Sequence, residues 1–144
     1  MGNCELCETA GGEILWEDSL CRVVRVGGAE GADFPGFCRV VWHAHAAEMT
    51  DLSPGERRHL MNVVFAAEAA VRSLARPDKI NLASLGNVVP HLHWHVIPRW
   101  RDDSRYPAPI WAVPHRAGRG RPVPDARALR DAIAEVLSEE GAGT

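Results

Sequence analysis

Polar and apolar residues alternate most strictly at His91-Leu92-His93-Trp94-His95-Val96-Ile97, a run closed by Pro98-Arg99. A period of two predicts a β-strand with two unlike faces. Leu92, Trp94 and Val96 are expected to point into the core. His91, His93 and His95 would then line the opposite face, about 6.5–7 Å apart along the strand. Further strands are expected upstream. Gly12 to Asp18 reads as a short first strand, Leu20 to Val26 as its β-branched hairpin partner, and Phe37 to Trp42 as a third. Gly27 to Gly36, rich in glycine and holding Pro35, reads as a loop. Lys79 to Leu85 reads as a fourth strand, and Gly86-Asn87 as a tight turn feeding the histidine strand.

A different period marks the helices. Ser53-Pro54-Gly55-Glu56 is a capping box with proline at the first helical position. Leu60, Val63, Val64, Ala67, Ala70, Val71 and Leu74 then fall on one face. Arg72 and Arg76 suit the negative end of the helix dipole, and Pro77 stops the run. A last amphipathic helix is expected from about Asp125, with Leu129, Ile133, Val136 and Leu137 on one side. The whole predicts an α+β fold, a meander of about five antiparallel strands with one long helix packed on it and a C-terminal helix. Residues 1–99 form the expected catalytic core. Residues 100–144 read as a C-terminal extension of the same domain, with an irregular proline-marked passage (Pro107, Pro109, Pro114, Pro122, Pro124) before the helix.

Composition narrows the classes of function. The 144 residues, 46% hydrophobic and 24% charged, fit one globular domain. A net charge of −3 argues against a nucleic-acid polymer as partner. No apolar run approaches the ~20 residues of a membrane helix, and Met1 to Glu5 lacks the pattern of a secretory signal, so a cytoplasmic location is expected. Six arginines (99, 101, 105, 116, 119, 121) face only Asp102 and Asp103 between Arg99 and Arg121. They could hold an anion, but a flexible solvated stretch is the preferred reading. Cys21 and Cys38 sit in apolar surroundings and are expected as buried thiols.

The alternating histidines support two chemistries: ligands of a catalytic metal, or a nucleophilic imidazole with helpers. The residues upstream favour the second. Asn81, Gly86 and Asn87 supply amide donors and a close backbone approach, as a phosphate pocket needs. His95, if protonated, and Asn87 are candidates to stabilise charge on the phosphoryl oxygens. A nucleophilic His93 needs one ring nitrogen free and the other held as N–H by an acceptor. With no carboxylate nearby in sequence, a backbone carbonyl is the candidate. A nucleotide-binding signalling module with vestigial activity is the third reading. Cys4-x-x-Cys7 is half a zinc site or a redox pair, and the second lacks its usual strand–helix setting. His59 and His115 read as incidental, while Trp100 and Trp111 are candidates for base or dimer contacts.

The run His91 to Ile97 fits the His-φ-His-φ-His-φ-φ signature of the histidine triad (HIT) superfamily of nucleotide hydrolases and transferases. The resemblance spans roughly residues 4 to 99, including Pro35-Gly36, His45, Asn81 and Gly86-Asn87. The chain is most similar to small bacterial HIT proteins of the diadenosine polyphosphate hydrolase type. The resemblance implies a HIT-like sheet, usually assembled as a homodimer. It implies that His93 attacks the α-phosphate of (di)adenosine polyphosphates or related nucleotide conjugates, forming a covalent nucleotidyl-histidine intermediate, and that His95 contacts the phosphate. It also implies a structural zinc held by Cys4, Cys7, His45 and His91, with His43 as a rival ligand. Three positions depart from the family pattern. Asn87 stands where glutamine is common, Val88 where a hydroxyl residue assists the leaving group, and Phe37 where histidine often follows Pro-Gly.

Overall fold

The computed structural model describes residues 3–142, with side chains through residue 139. The elements run α1 (Glu5–Glu8), β1 (Glu13–Glu17), β2 (Cys21–Arg25), α2 (Gly28–Asp33), β3 (Cys38–Trp42), a 3-10 turn (Met49–Asp51), α3 (Pro54–Ala75), β4 (Lys79–Ala83), β5 (His93–Arg99) and α4 (Ala126–Ala142). The strands form one five-stranded antiparallel sheet in the order β1-β2-β3-β5-β4.

That order departs once from a simple meander. α3 crosses over from β3 and starts β4 in the same direction as β3, so the two cannot pair antiparallel. β5 returns between them and pairs with both. The histidine strand therefore lies inside the sheet, with Val41 opposite His93 and Arg39 opposite His95 on β3, and Ala83 opposite His95 on β4.

Helix α3 forms where the capping box places it. Ser53 Oγ accepts from the Glu56 N–H at 3.2 Å, and Glu56 Oε1 accepts from the Ser53 N–H at 2.8 Å. Leu60, Val63, Val64, Ala67, Ala70 and Val71 are buried as their spacing predicts, whereas Leu74, in the last turn, is 39% exposed. This face packs on Cys21, Val23, Cys38, Val40, Trp42, Leu92 and Val96, and α4 adds Leu129 and Ile133 to the same core. Each such aliphatic side chain contributes about 1.5–3 kcal/mol when fully buried. Trp94 sits at the margin of this core, partly buried, with its indole N–H directed at Met49 Sδ.

The other face of the sheet is covered as well. Leu6 packs on Val24 and Val41 at one end, and Val26, Phe34, Phe37, Ile97 and Ile110 cluster at the other. The three histidines are consequently buried rather than solvated, with exposures of 0%, 8% and 6% for His91, His93 and His95. The segment expected as a loop between β2 and β3 contains the six-residue α2, which buries no residue of its own and so left no apolar signature. Among the described residues, no helix is long and apolar enough to cross a membrane.

Candidate active site on the histidine strand

One corner of the site is assembled from four residues on three distant stretches. Cys4 caps the single turn α1, Cys7 lies within it, His45 follows β3, and His91 immediately precedes β5. The donor atoms of all four lie within 4.8 Å of one another. His91 Nδ1 is 3.3 Å from Cys4 Sγ and 3.4 Å from Cys7 Sγ, and His45 Nδ1 is 3.4 Å from Cys7 Sγ. A tetrahedral ion with Zn–S of about 2.3 Å and Zn–N of about 2.0–2.1 Å spaces sulfur and nitrogen by about 3.6 Å, so the set fits zinc. His91 Nε2–H donates to the Trp42 carbonyl at 2.6 Å, which aims Nδ1 at the thiols, as the outer hydrogen bond of a ligating histidine does. Burial pushes the His91 imidazole down from its ordinary value, and the bond from Cys4 pushes the Cys7 thiol up. His43 does not join the corner. Its Nδ1 accepts from Arg22 Nη1 at 2.8 Å, and its Nε2–H donates to the Asp18 carbonyl at 2.9 Å. His59 is likewise committed, to Asp18 at 2.6 Å.

Two residues on, the ring is turned the other way. His93 Nδ1–H donates to the His91 carbonyl at 2.6 Å, leaving Nε2 with no hydrogen-bond partner among the described residues. Ser84, which sequence reading missed, donates its hydroxyl to the His93 carbonyl at 2.8 Å and fixes the backbone there. Leu85, Gly86, Asn87, Val88 and Val89 form one wall of a cleft of about 300 Å³, and His93, His95 and Trp111 complete it. Gly86 has φ +74°, a left-handed conformation that lets the loop turn close to the histidines.

His95 is enclosed on three sides. Its ring centroid lies 5.0 Å from that of His93, 5.1 Å from Trp111 and 5.8 Å from Phe37. Burial, with the neighbouring His93 and Arg39 side chains adding to it, pushes its pKa down to about 3. His95 is therefore neutral near pH 7, so the protonation on which its role as a charged donor was conditional is not met there. Its buried Nδ1 has no partner.

Asn81 lies on the histidine face opposite Ile97, but its Oδ1 accepts from Arg99 Nη1 at 2.9 Å. It lines a neighbouring cavity of about 380 Å³ that shares Trp111 with the cleft. The structure thus brings His93, His95, Gly86 and Asn87 together and places Asn81 next door.

The arginine-rich passage after β5 is not the solvated stretch expected at its start. Arg99 is 1% exposed and forks onto Asp103 with Nε at 2.9 Å and Nη2 at 3.0 Å, while Nη2 also reaches the Ala108 carbonyl at 2.8 Å. Asp103 accepts further from the backbone N–H groups of Trp100, Arg105 and Tyr106. Burial alone would raise its carboxyl, but Arg99 and these donors hold it below the ordinary range. The knot turns residues 100–112 back over the sheet, and Trp111 lands on His95.

Fold and site together define a histidine triad protein: a family model described as the HIT domain matches residues 12–102, and the chain belongs to that family. Among solved structures it is similar to a histidine triad protein from Sinorhizobium meliloti 1021, at 27% identity and TM-score 0.69, covering 94% of this chain and 96% of that one. It shares its fold with a Zn-bound histidine triad family protein from Mycobacterium smegmatis, at 19% identity and TM-score 0.57 over 99% and 98% of the two chains. Among curated proteins it matches AP-4-A phosphorylase of Mycobacterium tuberculosis, 31% identical over 78 residues, which is 50% of this chain. That match spans 40% of the relative's own length.

Proposed function

We propose that this protein is a nucleotide-processing enzyme in which His93 Nε2 attacks the α-phosphate of a (di)adenosine polyphosphate or related nucleotide conjugate. The observation that carries the reading is the opposite use of the two ring nitrogens: Nδ1–H is held by the His91 carbonyl, and Nε2 has no partner. The Nε2 lone pair forms the N–P bond, and the P–O bond to the leaving group breaks with its electron pair. The ring then carries positive charge, which strengthens the Nδ1–H bond to the carbonyl. Water or inorganic phosphate next attacks phosphorus, the N–P bond breaks, and His93 returns to neutral. Splitting one displacement into two is the gain of a covalent route.

Several residues serve these steps. Asn87 and the backbone around Gly86 offer donors to the phosphoryl oxygens, and neutral His95 lies beside them. Val88, 93% exposed, brings no hydroxyl to the leaving group. The reading therefore favours leaving groups that depart without a proton from that position, such as a phosphate chain. The AP-4-A phosphorylase relatives support the substrate class and make phosphate a candidate acceptor beside water. The alternative, a catalytic metal held by the three triad histidines, is disfavoured. His91 and His93 present opposite nitrogens, and no cluster of metal-binding side chains among the described residues includes His93 or His95.

A structural zinc at Cys4, Cys7, His45 and His91 belongs to the same proposal. Four protein ligands leave no open position, so the ion would tie α1 to the strand that carries His93. So does a homodimer. β4 is an edge strand, Leu85 just beyond it is 54% exposed, and Phe65 on α3 is 49% exposed.

Steady-state assays with diadenosine tetraphosphate, in water and with added phosphate, test the function. Turnover that disappears in His93→Asn supports it. Binding without turnover across a substrate panel would favour the vestigial signalling module instead.

A further inference from the structure

Among the described residues, only two buried side-chain nitrogens lack a hydrogen-bond partner: Arg39 Nε and His95 Nδ1. They are not scattered. Arg39 and His95 are directly paired across β3 and β5, so their side chains rise side by side on the histidine face. Buried polar groups are nearly always satisfied, and two gaps at adjacent positions call for an explanation.

The contrast with other arginines sharpens the point. Arg99 makes four side-chain hydrogen bonds, and Arg22 donates to three backbone carbonyls and reaches His43. Arg39 carries the same five N–H donors, yet its one ion pair among the described residues is with Glu30 at 3.9 Å. Its guanidinium also lies 5.6 Å from the Phe37 ring. The side chain is 25% exposed although its Nε is buried, so the outer part of the guanidinium is open to a ligand. An unpaired Arg39 Nε–H beside an unpaired His95 Nδ1, taken as the nitrogen that carries the neutral ring's proton, is a pair of donors, and what satisfies both is an oxyanion.

We propose that Arg39 and His95 form an anion subsite that reads a second phosphoryl group on the ligand, beyond the phosphate presented to His93. The inference rests on the reading of the cleft as a nucleotide site and adds a specificity residue to it. The extra phosphate comes either from the chain beyond the α-phosphate or from a phosphate on the ribose, and the guanidinium serves both. A bidentate fork onto phosphate makes Arg39 a discriminator between ligands of different charge.

Calorimetric titration of the intact protein tests this with five probes: inorganic phosphate, pyrophosphate, AMP, α,β-methylene-ADP and adenosine 2′,5′-bisphosphate. In the wild-type protein, pyrophosphate binds at least about tenfold tighter than phosphate, and one of the two doubly phosphorylated nucleotides exceeds AMP by a similar factor. Arg39→Met abolishes these advantages, Arg39→Lys keeps part of them, and Arg101→Met, which removes an exposed arginine, leaves them intact. The melting temperature of each variant separates loss of the subsite from loss of fold. If a second phosphate confers no advantage, or the advantage survives Arg39→Met in a folded protein, the subsite does not exist. Failure of AMP to bind, with the pyrophosphate pattern present, would overturn the nucleotide reading and leave the anion subsite standing.

Discussion

His91 and His93 share a face and a stretch of chain, yet the structure uses them in opposite senses. His91 gives its Nε2–H to the carbonyl of Trp42 and turns Nδ1 toward two cysteines. His93 gives its Nδ1–H to the carbonyl of His91 and leaves Nε2 open. Since a carbonyl can only accept, each bond selects a tautomer, and the tautomer decides which nitrogen carries a lone pair outward. In the function proposed above, one imidazole becomes a fixed ligand and the other a free nucleophile. A backbone acceptor, rather than the type of side chain, distinguishes anchor from reagent.

The largest way to break this comparison is to remove the free imidazole. His93→Ala is expected to lower kcat by about 10³-fold or more while the melting temperature changes little, as read by steady-state kinetics beside thermal denaturation. Cutting the support under Trp111 comes next. Asp103→Ala leaves Arg99 charged and buried without its carboxylate, which costs about 3–5 kcal/mol in denaturant unfolding. Disturbing the anchor acts on stability too. Cys4→Ser is expected to lose one zinc per chain by metal analysis and to destabilise by several kcal/mol, with slow loss of activity that tracks unfolding.

Smaller effects sharpen the picture around His95. Its pKa is lowered from 6.5 to about 3 in the folded chain, so the unfolded chain binds the proton more readily. Stability is then complete above pH 6.5 and falls on acidification from 6.5 toward 3; His95→Gln flattens that part of a pH series of unfolding free energies. Trp111→Ala uncovers His95 and is expected to raise KM about tenfold with a lesser change in kcat, since the indole shapes the cleft and makes no bond to the reacting atoms.

Much of this was legible in the chain because it is written in local period. The alternation at 91–97, the capping box at Ser53 and the apolar face of α3 each depend on neighbours within a few residues. The triad and the Cys4–Cys7 spacing were readable for the same reason. What could not be read is set by contacts between distant stretches. The crossover that puts β5 inside the sheet follows from the direction in which α3 delivers the chain. The cover over the histidine face depends on Arg99 meeting Asp103, Asn81 and the Ala108 carbonyl, and nothing in the arginine count distinguishes that knot from a solvated stretch. The sequence left the protonation of His95 open; the burial that makes it neutral comes from distant stretches. Arg39 carried no signal at all, because a missing partner shows only when every other residue has been placed.

The central claim is that His93 Nε2 bonds covalently to phosphorus, and mass analysis of protein quenched during a single turnover of diadenosine tetraphosphate tests it most directly. The account predicts a peptide containing His93 heavier by one adenylyl group, acid-labile as an N–P bond is, and missing from His93→Asn. An adduct on another residue, or undiminished turnover by His93→Asn, would contradict it.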